Sequence, residues 1–396
     1  MVDVPALRES FGRVAVHGDE VPLYFYSYLF LRNPHLRPLF PAGMAAQRDR
    51  LVGALIRIVS DVDRLDALVP YLSDLGRDHR KFDIVAEHYP QVGEALLATL
   101  AHFLDRDWTP HLAEQWTAAY GVVADVMVRA AEADEDRAPY QEAEIVAHDR
   151  RATDLAVLTV RPEGEVRYVP GQSLSVETAR RPRTWRYLSP ANAPRPDRTL
   201  EFHVRAVDGG WVSPSLVLGA TVGDRLLLGP PVGELALDHS DDDVLMLAGG
   251  TGLAPLKAMI EHLAAGTARR RVRLYVEART EADLYDLPAL DRLAAAHPWL
   301  AVVPTALSGA VRRAEAGRAA EVALRHGRWG RHAVFVCGGP AMVAESRALL
   351  VRSGIDPHRV HHETFTYRAG PAGDATTVDG ATDLARPSGA LTGDLR

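Results

Sequence analysis

Residues 245–260 read LMLAGGTGLAPLKAMI. An apolar run of strand character passes into glycines at 249, 250 and 252, then, with Pro255 near its start, into helical periodicity. Glycines let a backbone approach a ligand closely, and a helix N-terminus offers free amides and a favourable dipole to an anion. The stretch is neither GxGxxG nor a Walker loop, because no Lys-Ser/Thr follows the last glycine. By itself it fits a tight strand-to-helix turn as well as a phosphate cradle. A second turn shifts the balance: VFVCGGPAMV, residues 334–343, puts Cys337, Gly338, Gly339 and Pro340 at the end of another strand. Loops at the carboxyl ends of parallel strands form the usual ligand crevice of an open α/β sheet.

Working outward, RVRLYVEAR lies between the two turns and AMVAESRALLVRSG follows the second. This alternation predicts an α/β parallel-sheet domain over residues 238–367. Upstream, EIVAHDR, LAVLTVRP, QSLSVET, RTLEFHVRAV and DRLLLGPP are short segments separated by Gly and Pro turns. They predict a small antiparallel β-barrel over 137–237. Further upstream, VPLYFYSYLFL, QRDRLVGALIRIVSDV, VGEALLATLAHFL and AEQWTAAYGVVADVMVRAA carry helical periodicity, so residues 1–136 form an all-α domain. The acidic AEADEDRAPY ends it as a linker, and residues 368–396, without periodicity, are expected to be a disordered tail.

A chain of 396 residues exceeds one ordinary core, and with 47% hydrophobic and 24% charged residues it is globular. A net charge of −7 with interspersed signs argues against nucleic acid and against an anionic membrane surface. No apolar run approaches the roughly 20 residues of a membrane helix. The start lacks a signal-peptide pattern, and the single Cys337 excludes an intrachain disulfide or a Cys-based metal site. A cytoplasmic location is expected.

RTWRYLSPAN at 183–192 has an Arg and a Ser spaced to hold phosphates. With GGTGLAP, CGGPAM and a terminal HHETF in that order, the chain from about 141 to 366 resembles the ferredoxin reductase-type FAD and NAD(P)H-binding module. The resemblance implies that Arg186 and Ser189 bind FAD phosphates, helped by the backbone of GGWVS, which includes Gly210, Val212 and Ser213. PGQ at 170–172 matches a turn that such barrels carry. Gly249, Gly250, Thr251 and Gly252 would hold the nicotinamide cofactor's pyrophosphate, with Cys337, Gly338 and Pro340 beside the nicotinamide and Phe365 near the flavin ring. Otherwise Cys337 is a small buried hydrophobe. Arg279 and Tyr285 either approach the adenine side or lie in a solvated loop. Leu188 stands where the family has a Tyr that stacks on the flavin, and strand alternation puts the adjacent Tyr187 on the opposite face with Ser189.

With that module present, the helical domain resembles the globin of flavohaemoglobins. Matched without a gap from Gln47 to Tyr89, His79 in GRDHRKF falls on the proximal haem ligand, Gln47 on the distal Gln and Leu51 on its apolar neighbour. Tyr26 falls on the distal Tyr, Phe40 of LRPLF on the Phe against the haem, and Tyr89 on the proximal-pocket Tyr. The family's proximal Glu position falls on Ala133, with Glu132 and Glu135 out of register, which weakens the push on the iron.

The resemblance implies haem b, FAD and NAD(P)H as cofactors and a nitric oxide dioxygenase that turns NO and O2 into nitrate, with small molecules and no obligate protein partner. The departures at Leu188 and Ala133 leave two other readings open. One is a haem and flavin oxidoreductase for another donor, such as a hydroxy acid or carbonyl; the other is a haem-based O2 or NO binding protein or sensor. NADH against NADPH is undecided.

Overall fold

The computed structural model describes residues 2–238, 240–266, 270–366 and 377–378. They divide between Tyr140 and Gln141 into two compact units. The first is all-helical: α1 (Val4–Ala15), α2 (Glu20–Arg32), α3 (Ala45–Asp61), α4 (Leu65–His79), α5 (Tyr89–Leu104) and α6 (Pro110–Glu132). Local chemistry sets several ends. Asp3 caps α1 by accepting from the Ala6 amide, and Thr109 caps α6 by accepting from the Leu112 amide, with Pro110 preset for the first turn. Leu7, Phe25, Leu29, Leu100 and Trp116 fill the core. The Trp116 indole donates to the Ser10 hydroxyl at 3.1 Å, so the buried ring carries no unpaired N–H. Helices α4 and α6 touch at Gly76, where a Cβ would stand 2.2 Å from the Met127 carbonyl oxygen, so only glycine permits this approach.

The second unit begins with six antiparallel strands: β1 (Gln141–Ala152), β2 (Leu155–Pro162), β3 (Ser173–Thr178), β4 (Arg186–Leu188), β5 (Leu200–Arg205) and β6 (Arg225–Val232). Their order is β4-β3-β6-β1-β2-β5, which leaves β4 and β5 as the two edges. A single bridge, Pro190 to Phe202, joins these edges into a barrel. Ile145, Leu158, Leu174, Val176, Phe202, Val204 and Leu228 point inward. Away from the bridge the barrel wall keeps a seam between β4 and β5.

Seven strands form the remaining sheet: β7 (Val244–Gly249), β8 (Val272–Ala278), β9 (Leu300–Ala306), β10 (Glu315–Ala316), β11 (Ala333–Gly338), β12 (Val360–Thr366) and β13 (Thr377–Val378). The order is β10-β9-β8-β7-β11-β12-β13, parallel except for the last pair. After a short turn α7 (Val212–Pro214) beside the barrel, helices α8 (Leu253–Ala265), α9 (Leu287–Ala296), α10 (Ala319–His326) and α11 (Pro340–Arg352) cover the two faces of this sheet. The strand order reverses between β7 and β11, which makes their carboxyl ends the topological switch point. GGTG and CGGP stand at those ends. Of the tail expected to lack structure, Thr377 and Val378 pair antiparallel with β12, whose outer edge would otherwise lack a partner. Its other residues lie outside the described set. No described helix is long and apolar enough to cross a membrane.

Candidate functional site

In the helical unit the sequence-predicted residues gather on two sides. Tyr26 on α2 is buried; its ring packs edge-on to Phe40, with centroids 5.6 Å apart, and its hydroxyl donates to the Gln47 main-chain carbonyl at 3.4 Å. Burial pushes the Tyr26 phenol up to about 12, against a smaller opposing effect of Gln47, so it remains a neutral donor. Leu51, one helical turn beyond Gln47 on α3, packs into the same apolar cluster.

On the other side, α4 ends at His79. The ring Nδ1 donates to the Leu75 carbonyl at 2.7 Å, one turn back on the helix, and this fixes the tautomer with Nε2 unprotonated. Nε2 has no hydrogen-bond partner among the described residues. Burial also lowers the affinity of the imidazole for a proton. A neutral imidazole anchored at one nitrogen and open at the other is what an axial iron ligand requires, so these residues fit haem. Neighbouring residues hold the segment in place. Lys81 pairs with Asp78 at 2.6 Å, and the Arg80 guanidinium donates to the Asp134 and Arg137 carbonyls, each at 2.6 Å. Tyr89 packs with Leu68, Leu72 and Met127, and burial pushes its phenol up to about 12. Glu132, Ala133 and Glu135 are exposed, and the Nδ1 partner of His79 is the Leu75 carbonyl.

In the second unit an open cleft lies along the barrel seam. Arg186, Tyr187, Leu188 and Ser189 form one wall, Val212 and Ser213 the end, and Thr251 and Phe365 come from the α/β sheet. Tyr187 and Leu188 both line it, although alternation assigns them to opposite faces. The reason is the seam: β4 pairs with β3 alone, so a ligand beside its free edge meets both faces and the main chain. Leu188 also packs against the barrel core. Gly210, Gly249, Gly252, Cys337, Gly338 and Pro340 do not line this cleft. Gly252 has a packing role, since a Cβ there would stand 2.2 Å from the Cys337 carbonyl oxygen. Cys337 is fully buried and burial pushes its thiol well up, which fits the small-hydrophobe reading and leaves no thiolate. A second crevice beside the GGTG turn is lined by Gly250, Leu253, Glu277, Tyr285 and Asp286. Tyr285 turns toward the barrel, where its hydroxyl meets His203 Nδ1 at 2.8 Å; Arg279 is exposed.

Sequence reasoning missed Glu363. Its carboxylate accepts from the Ser173 hydroxyl at 3.0 Å, and Ser173 lies 2.9 Å from the Ser189 hydroxyl on the cleft wall. The other carboxylate oxygen is buried without a partner among the described residues, and burial pushes the carboxyl up to about 7. A proton-holding group near neutrality is thus linked by two hydroxyls to the cleft. The Glu of HHETF was visible, but its partner Ser173 sits 190 residues earlier in the chain. A seam with free strand edges, a buried arginine and this relay fit a flavin.

Fold and sites define a class: a haem-type helical unit fused to a flavin and nicotinamide-nucleotide reductase. The globin family model matches residues 23–127, the oxidoreductase FAD-binding domain 137–237 and the oxidoreductase NAD-binding domain 246–348. A flavohemoprotein of Deinococcus radiodurans is 30% identical over 287 residues, covering 68% of this chain and 69% of its own. One from Bordetella parapertussis is 29% identical over 398 residues, covering 91% of this chain and 95% of its own. The crystal structure of Malassezia yamatoensis flavohemoglobin with bound FAD and heme superposes with a TM-score of 0.72 at 18% identity, covering 92% of this chain and 98% of that one. The chain belongs to the flavohemoprotein family, and it is an NAD(P)H-dependent oxidoreductase whose cofactors are haem, FAD and the nicotinamide nucleotide.

Proposed function

We propose that this flavohemoprotein is a nitric oxide dioxygenase, converting NO and O2 to nitrate with electrons from NAD(P)H. The observation that carries the reading is the arrangement at His79 and Tyr26: an imidazole with Nδ1 anchored and Nε2 open, and a separate buried phenol that stays protonated beside Gln47. When bound, FAD converts a two-electron reductant into single electrons and haem uses them to bring O2 to NO.

The chain's residues supply the rest. His79 Nε2 would hold the haem iron. Tyr26 and Gln47 offer hydrogen bonds where negative charge develops on oxygen, and the Phe30 and Phe40 rings packed around Tyr26 keep water away. In the reductase unit Arg186 and the Gly210 to Ser213 turn would hold the FAD phosphates, and the GGTG turn at the start of α8 would hold the nicotinamide nucleotide's pyrophosphate. Glu363 holds a proton near neutral pH, and the Ser173 and Ser189 hydroxyls can pass it toward the cleft.

One observation favours a second reading. His79 leans on a neutral carbonyl rather than a carboxylate, which donates less electron density through the imidazole and suits a haem and flavin oxidoreductase acting on another donor. Purified chain loaded with haem and FAD should accelerate NO loss in the presence of O2 and NAD(P)H, with nitrate as product. Slow NO loss together with flavin reduction by a hydroxy acid or carbonyl compound would replace the first reading with the second.

A further inference from the structure

A buried charged cluster joins the flavin barrel to the nucleotide-binding helix. Lys257 on α8 is 5% exposed, and its Nζ lies 2.7 Å from Glu201 Oε1 on β5. It also forms an ion pair with Asp286 Oδ2 at 2.9 Å. Asp286 is 2% exposed, and its other oxygen lies 3.4 Å from the Arg151 guanidinium on β1. Glu201 Oε1 also accepts from His203 Nε2 at 3.1 Å, while His203 Nδ1 accepts from the Tyr285 hydroxyl at 2.8 Å. Two carboxylates are thus balanced by one lysine and one arginine, with a neutral histidine and a phenol completing the hydrogen bonds.

The placement of Lys257 argues for more than packing. Thr251 in the GGTG turn and Ala254 on the first turn of its helix line the flavin cleft, and Gly250 and Leu253 line the second crevice. Lys257 follows Ala254 by three residues and Leu253 by four, so it sits one turn beyond both on the same side. Its two anions come from the barrel wall and from the Tyr285–Asp286 turn, which itself lines the crevice. Burying a lysine is costly, and an apolar side chain of similar length would fill the space without that cost. A cation here gives direction: it fixes three segments at hydrogen-bond and ion-pair distance, where apolar contact would let them slide.

We infer that Lys257 is a positioning residue for hydride transfer, holding the GGTG turn against the flavin cleft so that nicotinamide and flavin meet in register. The inference rests on the functional reading of the two clefts. Lys257→Met leaves Glu201 and Asp286 facing each other without their cation. Adding Glu201→Gln removes one carboxylate, restoring charge balance but not the bridge.

The FAD-loaded full chain and these variants would be mixed anaerobically with NADH and, separately, NADPH, and flavin bleaching followed by stopped flow, with thermal midpoints measured in parallel. The double variant is expected to regain the wild-type midpoint while reducing its flavin about tenfold or more slowly. Lys257→Arg, which can reach both carboxylates, should recover most of the rate. The inference is overturned if the double variant reduces flavin at the wild-type rate, or if rate follows thermal midpoint across all the variants. If Lys257→Met does not fold, the double variant and Lys257→Arg still decide. A wild-type flavin that neither nucleotide reduces would instead overturn the functional reading beneath it.

Discussion

Glu363→Gln should remove a pH dependence built into the reductase unit. The Glu363 carboxyl is 8% exposed and stands at about 7 rather than the ordinary 4.5, chiefly because burial disfavours its charged form. At 1.4 kcal/mol per pH unit this gap corresponds to a preference of about 3 kcal/mol for the neutral acid. Below pH 4.5 folded and unfolded chains both carry the proton, and Glu363 costs nothing. Between 4.5 and about 7 the folded chain binds more protons than the unfolded one, so stability falls as pH rises, and above 7 the loss is complete. A glutamine is always neutral and still accepts from Ser173. The variant should therefore match the wild type near pH 4.5 and exceed it by about 3 kcal/mol at pH 8, on the order of 6–10 °C for a unit of this size. Release of FAD fluorescence on heating, measured from pH 5 to 8, reads the reductase unit selectively. A midpoint difference that stays constant across this range would refute the buried-acid account.

Leu188→Tyr should tighten FAD binding severalfold, because aromatic stacking contributes roughly 0.5–1.5 kcal/mol beyond area burial; an unchanged dissociation constant by flavin fluorescence titration would show that Leu188 does not face the ring. Tyr26→Phe removes one donor, worth about 1 kcal/mol, and should speed O2 release from the reduced haem severalfold in stopped-flow measurements. An unchanged rate would take Tyr26 out of the distal site.

Parts of this fold could be read because their signals are local. The GGTG and CGGP turns announce themselves within ten residues each, and their strand-end placement follows from α/β topology. Barrel strands were bounded by Gly and Pro, and His79 was found through an ungapped resemblance. What stayed hidden depends on closure in space. Tyr187 was set aside by strand alternation, a rule that presumes a paired strand, whereas β4 borders a seam. Lys257 and Glu201 carry no local signal, because their pairing arises only where the barrel and α8 meet. Glu363 owes its raised proton affinity to burial in the packed structure, and its link to the cleft to Ser173, 190 residues away.

The proximal side of the helical unit carries the most consequential departure from the family pattern. Helix α4 meets α6 at Gly76 and Met127, and just past its end Arg80 bonds Asp134, so the α4 end that carries His79 runs beside residues 127–134. In that interval Ala133 and Glu132 are exposed, whereas Ala130 is buried. Ala130 is therefore the position at which a carboxylate acceptor for the imidazole is best tested. Ala130→Glu should give His79 Nδ1 a charged acceptor in place of the Leu75 carbonyl, at a cost of about 1–3 kcal/mol from overpacking. A stronger acceptor makes the imidazole a better electron donor. In the haem-loaded ferrous chain the iron–histidine stretch, measured by resonance Raman, should move to higher frequency. A folded variant with an intact Soret band and an unmoved stretch would show that α6 does not reach the proximal histidine, and that the weak push originates elsewhere.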